Sequence, residues 1–200
     1  MKKIILIFSA ILVSAGFTFA QHNYCSFDGK SQVGYGHRDG KLDSLSANPK
    51  SGNVYKGTHC IQYKRSANKF DNLKIHPQGK VEDVSGFATF HKDAQKMKVK
   101  IYSTAPVGTL IELQFTKKGI DSYPKGVHSQ FQAKTKKQNE WEELEFNFVS
   151  APEGSEVKAY EIDEFVILFA PNTSGTNTFY FTDLIGPKMS ETPEAIKTNN

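Results

Sequence analysis

Polar and hydrophobic residues alternate strictly from Glu143 to Phe148 in the segment 140–148, EWEELEFNF. Leu144, Phe146 and Phe148 are separated by single acidic or amide side chains. Strict alternation is the pattern of a β-strand with one face buried and the other in water. Such a strand needs a second layer to cover its apolar face, so the pattern predicts at least two packed sheets.

Similar alternation, or a short apolar run, recurs between clusters of Pro, Gly and Asn. The segments predicted to be strands on this basis are 54–64, 70–75, 86–90, 96–102, 109–116, 127–133, 165–169 and 179–184. In 109–116, for example, Ile111, Leu113 and Phe115 face one way and the polar residues between them face the other. No segment has a sustained helical period. The chain is therefore predicted to be an all-β protein with an antiparallel β-sandwich of the jelly-roll type.

The glycine-rich segment 34–40, GYGHRDG, is predicted to be an exposed loop with aromatic and charged side chains at its tip. Loops of this composition often carry binding residues. A turn-rich link between two edge strands is the alternative.

Both ends of the chain differ in composition from the centre. Residues 1–20 have Lys2 and Lys3, an apolar stretch and a small-residue exit at Ala20, the pattern of a secretory signal; an uncleaved anchor is the alternative, but the apolar stretch is short for a membrane span. The residues 188–200 have few apolar side chains and are predicted to be a disordered tail. A single domain over 21–187 is expected, exported to the periplasm, the cell surface or the medium.

The charge of the chain excludes two classes of partner. The formal net charge is +4, and it falls to +2 without Lys2 and Lys3. The basic residues are also scattered along the chain. This balance gives no reason to expect binding to nucleic acid or insertion into a membrane.

Two cysteines, Cys25 and Cys60, remain after export. An even pair in an oxidising compartment most often forms a bridge, which would stabilise the fold by about 4 kcal/mol. A disulfide between them is therefore predicted, with two buried free thiols as the alternative.

Local catalytic motifs are absent from the sequence. There is no GxSxG, HExxH, CxxC or glycine-rich phosphate loop, and the six histidines are dispersed. Two of the many carboxylates could still meet in the fold, as in glycosidases. No catalytic residue is predicted from the sequence.

Aromatic residues make up 12% of the chain. A tyrosine on a loop or a concave sheet face offers a flat apolar ring with a polar edge, which suits the apolar face of a sugar. Gln, Arg and His side chains nearby could bind the hydroxyl groups. The candidate carbohydrate-binding residues are Tyr35, His37, Arg38, Gln62, Gln114, Tyr123, His128 and Gln130.

Five segments carry a resemblance to a known family. They are 48–65, 96–115, 139–148 with its WEEL motif, 165–171 and 179–184 ending in FYFTDL. Together they resemble the galactose-binding-like β-sandwich modules of secreted polysaccharide-degrading proteins of Bacteroidota, over roughly 24–187. The resemblance implies a carbohydrate-binding jelly roll, commonly with a structural calcium ion near the two termini.

Some positions of that family can be assigned here. Asp183 matches an acidic residue of the last strand that commonly binds the calcium, and Asp28 is a plausible second ligand. Thr182 stands where the family often has another acidic residue, and an Asp183 bonded to backbone amides is the alternative. Trp141 matches a tryptophan that usually belongs to the core.

Three functions are compatible with the sequence. The first is a non-catalytic glycan-binding protein whose partners are a polysaccharide or oligosaccharide and enzymes of glycan degradation. The second is a jelly-roll polysaccharide lyase or glycoside hydrolase, and the third is a structural or adhesion subunit of a surface assembly.

Overall fold

A computed structural model describes residues 21–26 and 33–190. Within these ranges the chain forms β-strands, and no helix there is long or apolar enough to cross a membrane. The strands are β1 (His22–Asn23), β2 (Val33–Arg38), β3 (Lys41–Ala47), β4 (His59–Lys64), β5 (Asn72–Pro77), β6 (Met97–Ser103), β7 (Leu110–Thr116), β8 (Val127–Lys134), β9 (Trp141–Ser150), β10 (Glu164–Phe169) and β11 (Thr178–Gly186).

The strands form two layers in which every pairing of neighbours is antiparallel. Sheet 1 has the order β3-β4-β11-β6-β9, with β1 added beside the end of β11. Sheet 2 has the order β2-β5-β10-β7-β8-β9. Residues 141–146 of β9 pair with β6, and residues 147–150 pair with β8. One strand therefore belongs to both layers.

Aromatic side chains join the two layers through the core. The ring of Phe169 on β10 stacks on Tyr63 of β4 at 5.2 Å between centroids and on Phe179 of β11 at 4.7 Å. Tyr24 follows β1, and its ring packs edge to face on the ring of Phe165 of β10, with 5.0 Å between the centroids. These contacts bury the apolar faces of both sheets against each other, and the predicted all-β antiparallel sandwich is confirmed.

Strand β9 has the predicted alternation. Leu144 and Phe146 are buried in the core, while Glu143 and Glu145 are exposed. Trp141 also begins the strand, but it lies on the outer face of sheet 1 and is only 4% exposed.

The segment 48–58 covers this tryptophan. The indole Nε1 of Trp141 donates a hydrogen bond to Oδ1 of Asn48 at 2.9 Å, and the Tyr55 ring lies 4.9 Å from the indole. Residues 54–58 were predicted to belong to the strand 54–64, but they form part of this irregular cover. Strand β4 begins only at His59.

Two other predicted elements were wrong. The segment 34–40 is not an exposed loop, because most of it forms β2 at the edge of sheet 2. Gly36 allows this pairing, since a Cβ there would lie 2.5 Å from the ring of His76. Residues 86–90 form turns rather than a strand, with Phe87 buried in the core and Phe90 in solvent.

The predicted disulfide was also wrong, because Cys25 and Cys60 are both buried free thiols. Cys25 packs in the core between the sheets. Cys60 alternates along β4 with Ile61 and Tyr63, which face the core, so its side chain lies on the opposite, outer face of sheet 1. Burial raises the pKa of each thiol to about 12. The body of sheet 1 separates the two sulfur atoms.

Residues beyond the predicted domain boundary still contact the sandwich. Met189 forms an isolated bridge with Val81, and the amide of Glu82 donates to the carbonyl of Lys188 at 2.9 Å. The domain therefore continues to Ser190, and the rest of the predicted tail lies outside the described residues.

Candidate functional site

The outer face of sheet 2 contains a groove with a volume of about 650 Å³. Its floor follows from the alternation along β7, where Ile111, Leu113 and Phe115 are buried in the core. The residues between them necessarily point to the other side. Glu112, Gln114 and Thr116 line the groove for this reason, as the sequence predicted for the polar face of this strand.

Strand register arranges the floor in rows that cross the sheet. The central row runs from Lys74 on β5 through Val166, Gln114 and Gln130 to Ser150 on β9. Ser150 does not line the groove, so the lining part of this row, from Lys74 to Gln130, spans about 14 Å at about 4.8 Å between neighbouring strands. The floor thus has an apolar part on β10 and an amide-rich part on β7 and β8.

Two exposed aromatic rings border the groove at opposite ends of the strands. Phe70 precedes β5 and is 60% exposed, and it lies at the end of the groove that also contains Leu110 and Pro171. Tyr123, in the connection between β7 and β8, is 67% exposed and lies at the other end. A ligand that contacts both rings would therefore extend from one end of the strands to the other.

Glu112 is the acceptor for three glutamine amides on the floor. Its Oε1 accepts from Nε2 of Gln114 at 2.8 Å and from Nε2 of Gln130 at 2.9 Å, and its Oε2 accepts from Nε2 of Gln132 at 2.8 Å. The Oε1 of Gln130 accepts in turn from the Ser150 hydroxyl at 3.0 Å. The network fixes the orientation of all three amides.

A second network surrounds Glu164 at the Tyr123 end. Its carboxylate accepts from the hydroxyl of Thr116 at 3.0 Å and lies 2.8 Å from Nε2 of His76. The Nζ of Lys74 lies 3.3 Å from Glu164 and 2.6 Å from Asp121.

The contacts between Lys74 and its acidic neighbours shift the pKa of Lys74 and the pKa of Asp121. Burial alone would lower the pKa of the Lys74 ammonium, but its bonds to Asp121 and Glu164 outweigh burial and the pKa is raised. The hydrogen bond from Lys74 lowers the pKa of Asp121. Since Asp121 belongs to the same connection as Tyr123, Lys74 ties this aromatic wall to the floor.

Arg65 performs a similar function for the Phe70 wall. Its guanidinium is 2% exposed and donates to the carbonyl oxygens of Asn68, Thr173 and Gly175 at 2.7, 3.0 and 2.6 Å, and to the hydroxyl of Thr173 at 2.9 Å. These acceptors belong to the two loops that supply Phe70 and Pro171. One buried side chain therefore holds both loops together.

The structure brings three of the predicted carbohydrate-binding residues into the groove: Gln114, Tyr123 and Gln130. Sequence reasoning missed Phe70, Glu112 and Lys74. The alternation of 109–116 already placed Glu112 beside Gln114 on the polar face, and this signal could have identified it. The sequence around Phe70 resembles that of any strand entry.

The other candidates lie elsewhere. Tyr35 packs against the core, and burial raises its pKa. His37 and Arg38 are exposed at the end of β2 and do not line the groove, although His37 is near enough to Asp121 to lower the pKa of that carboxyl. Gln62 is on sheet 1, where its Nε2 donates to the Tyr180 hydroxyl at 2.8 Å.

His128 is separated from the groove by an irregularity in β8. The register shifts between the Phe115 and Thr116 pairs, so Val127 rather than His128 stands opposite Thr116 and lines the groove. The imidazole Nδ1 lies 3.0 Å from the hydroxyl of Ser129. Burial lowers the pKa of His128.

The surroundings of Asp183 do not fit a calcium ion. One carboxylate oxygen lies 2.7 Å from the ammonium of Lys100, and the other accepts from the amide of Asn23 at 3.0 Å. Among the described residues no group of three His, Cys, Asp or Glu side chains could hold a metal ion. Asp28 lies outside the described residues, so its part in the calcium site stays a prediction.

Of the comparisons with known proteins, only the one with solved structures gives matches. The chain matches no protein-family model and no curated protein. A family 11 carbohydrate-binding module of a cellulosomal cellulase of Clostridium thermocellum is 14% identical, with 86% of this chain and 95% of that chain covered and a TM-score of 0.48.

Two further similar structures are also carbohydrate-binding modules. A family 30 module is 10% identical, with 80% of this chain and 93% of that chain covered and a TM-score of 0.48. A variant of a family 29 module is 8% identical, with 84% and 91% covered and a TM-score of 0.44.

Proposed function

We propose that this protein is a non-catalytic glycan-binding protein whose ligand occupies the groove of sheet 2. The observation that supports this most directly is the combination of an amide-rich floor with exposed aromatic rings at both ends. The rings of Phe70 and Tyr123 offer flat apolar surfaces, and Gln114, Gln130 and Gln132 offer hydrogen-bonding groups between them. Sugars present both kinds of surface at once, an apolar ring face bordered by hydroxyl groups.

The dimensions favour a chain of sugars over a single one. Along β7 the lining extends from Leu110 to Thr116, about 20 Å, which is enough for roughly four pyranose rings in an extended chain. Each stacked ring contributes only about 1–2 kcal/mol. Several contacts must add up, and the expected affinity is in the millimolar to micromolar range.

The carboxylates of the groove support binding rather than hydrolysis. Glu112 stands opposite Leu168 on β10, and Glu164 lies four residues from Leu168 along that strand. The Cα atoms of these two residues are therefore about 14 Å apart. Asp121 and Glu164 are closer, within the roughly 5–10 Å of glycosidase carboxyl groups, but both are bonded to the ammonium of Lys74, at 2.6 and 3.3 Å. Glu112 and Glu164 also accept hydrogen bonds from protein groups at both of their carboxylate oxygens.

The cellular setting of this function follows from the sequence. The secretory pattern of residues 1–20 supports export, and a polymer-binding protein would act there beside enzymes of glycan degradation. Both statements belong to the proposal.

Affinity electrophoresis of the mature protein tests the proposal. Gels would contain hydroxyethylcellulose, glucomannan, xylan, laminarin or another plant or algal polysaccharide, and retardation on at least one is expected. Phe70→Ala and Tyr123→Ala should each weaken binding to that polymer about tenfold, since each removes one stacking ring.

Phe90→Ala is the matched control. Phe90 is 77% exposed but packs on Phe148 and does not line the groove, so this variant should bind like the unaltered protein. No retardation on any polymer would contradict the proposal, and equal losses in all three variants would place the ligand elsewhere. New reducing ends or unsaturated ends released from a polymer would establish an enzyme instead.

A further inference from the structure

Resting on the proposed function, we propose that Glu112 is a specificity-determining residue that makes the groove accept uncharged, hydroxyl-rich glycans and reject anionic ones. It does so by setting the direction of the hydrogen bonds on the floor and by adding negative charge to it. Around Glu112, the groups of the floor that a ligand would meet are then mainly acceptor oxygens and a carboxylate.

The first step concerns the orientation of the amides. A carboxylate can only accept hydrogen bonds. Gln114, Gln130 and Gln132 must therefore turn their NH₂ groups towards Glu112, which is what the three distances of 2.8–2.9 Å show. Because the amide oxygen lies on the other side of the same planar group, each Oε1 points away from Glu112.

The second step concerns what those oxygens contact. The Oε1 of Gln130 already accepts from Ser150. Within the described part of the chain, no protein donor reaches the Oε1 of Gln114 or of Gln132, and neither oxygen is enclosed. Both side chains line the groove, so two free acceptors face a ligand. Sugar hydroxyls can donate to these oxygens, whereas a carboxylate or sulfate group has no proton to donate.

The third step is the charge of the lining. Three carboxylates, those of Glu112, Asp121 and Glu164, line the groove together with one ammonium, that of Lys74. Lys74 is bonded to Asp121 and Glu164, which leaves Glu112 without a cationic partner among the described residues. The lining is therefore negative although the chain as a whole carries a formal charge of +4.

Further lysines lie near the groove without lining it, Lys69, Lys118 and Lys125 beside lining residues in the sequence and Lys96 and Lys134 towards β9. Lys134 is opposite Leu110, and Lys96 donates to Oδ1 of Asn147 at 2.8 Å. Neither lines the groove. An anionic polymer could touch them from outside, but its charged groups would meet the Glu112 carboxylate on entering the floor. Like charges in such contact oppose binding strongly.

The test compares each polysaccharide that retards the protein with its carboxymethylated derivative, hydroxyethylcellulose and carboxymethylcellulose being one such pair. The unaltered protein is expected to bind the uncharged polymer at least about tenfold more tightly. Raising the salt concentration should bring the ratio of the two affinities closer to one, because salt screens the repulsion of the anionic polymer and leaves stacking in place. This measurement requires no variant.

Glu112→Gln removes the charge and keeps the shape of the side chain. The affinities of this variant for the uncharged and the anionic polymer should differ by no more than about threefold. The ratio of the two affinities should also no longer depend on the salt concentration. The matched control is Glu143→Gln, an equal change on the exposed outer face of sheet 1, which should leave the ratio unchanged.

The outcomes separate this inference from the proposed function. If the unaltered protein binds the carboxymethylated polymer as tightly as its parent, glycan binding stands and the role of Glu112 is wrong. The same holds if a folded Glu112→Gln variant keeps the original ratio and salt dependence. If no polymer of either kind is bound, the proposed function itself fails, and the inference fails with it.

Discussion

Arg65 shows how one buried residue can determine the shape of a surface site. A fully buried guanidinium without an acidic partner is costly unless its donors are satisfied by other groups. Here three carbonyl oxygens and one hydroxyl on two loops accept from it, and only its Nε, among the described atoms, has no partner. The positions of the two loops that supply Phe70 and Pro171 therefore depend on a buried side chain that does not contact a ligand.

Arg65→Met should lower the free energy of unfolding by about 2–4 kcal/mol, because four acceptors lose a charged donor. Binding should also weaken, and the loss should largely disappear in a Phe70→Ala background, since both changes act on the same wall. Urea unfolding and affinity electrophoresis measure the two effects. Arg38→Met, at an exposed position, is the control; similar losses in both variants would contradict this role of Arg65.

At the scale of elements, the strands hold the floor and the loops hold the walls. Strand β7 fixes the direction of its side chains by alternation alone. The connection from Lys117 to Gly126 has no such pattern, and its position depends on side-chain links. Lys74 joins Asp121 at 2.6 Å, Lys117 joins Glu161 at 2.6 Å, and the amide of Lys118 donates to Asp163 at 2.8 Å.

Acid should loosen this connection through Asp121. Because Lys74 lowers the pKa of Asp121, the carboxylate contributes stability that is complete above the ordinary pKa of about 4 and is lost as the pH falls through the lowered value. The protection of the amides in 117–126 against hydrogen exchange, measured relative to the intrinsic rate at each pH, should decrease in that range, and glycan binding should weaken.

Asp121→Asn should show the faster exchange already at neutral pH and a smaller further change in acid. Asp93→Asn provides the control, since Asp93 is exposed and does not line the groove. Identical acid profiles for the Asp121 variant and the unaltered protein would show that the link does not hold the connection.

The difference between the strands of the floor and the loops of the walls explains how much of the site could be predicted from the sequence. Alternation predicted the strand 109–116 and the outward direction of Gln114, because a strand's period is a local property. It could not predict that Phe70 and Tyr123 face each other across the floor, since that depends on which distant strands pair. The cysteine prediction failed for a related reason: an even count says nothing about the face of the sheet on which each thiol lies.

At the scale of the whole molecule, β9 makes the two layers one hydrogen-bonded unit. Its first six residues pair in sheet 1 and its last residues pair in sheet 2. The aromatic contacts of Phe169 with Tyr63 and Phe179 add a shared core. Neither sheet can lose its order without exposing the apolar face of the other.

Unfolding should therefore be a single transition. Trp141 fluorescence reports on the outer face of sheet 1, and far-ultraviolet circular dichroism reports on all strands. The two signals should give the same midpoint in urea, as expected for a two-state domain. Separate midpoints would show that sheet 1 and sheet 2 unfold independently.

The continuity of β9 also has a mechanical consequence. A polymer attached in the groove and pulled away would load the outer face of sheet 2, and the backbone from Trp141 to Ser150 would carry part of that force into sheet 1 through covalent bonds. Separation of the two layers under load is thereby opposed by the covalent chain itself.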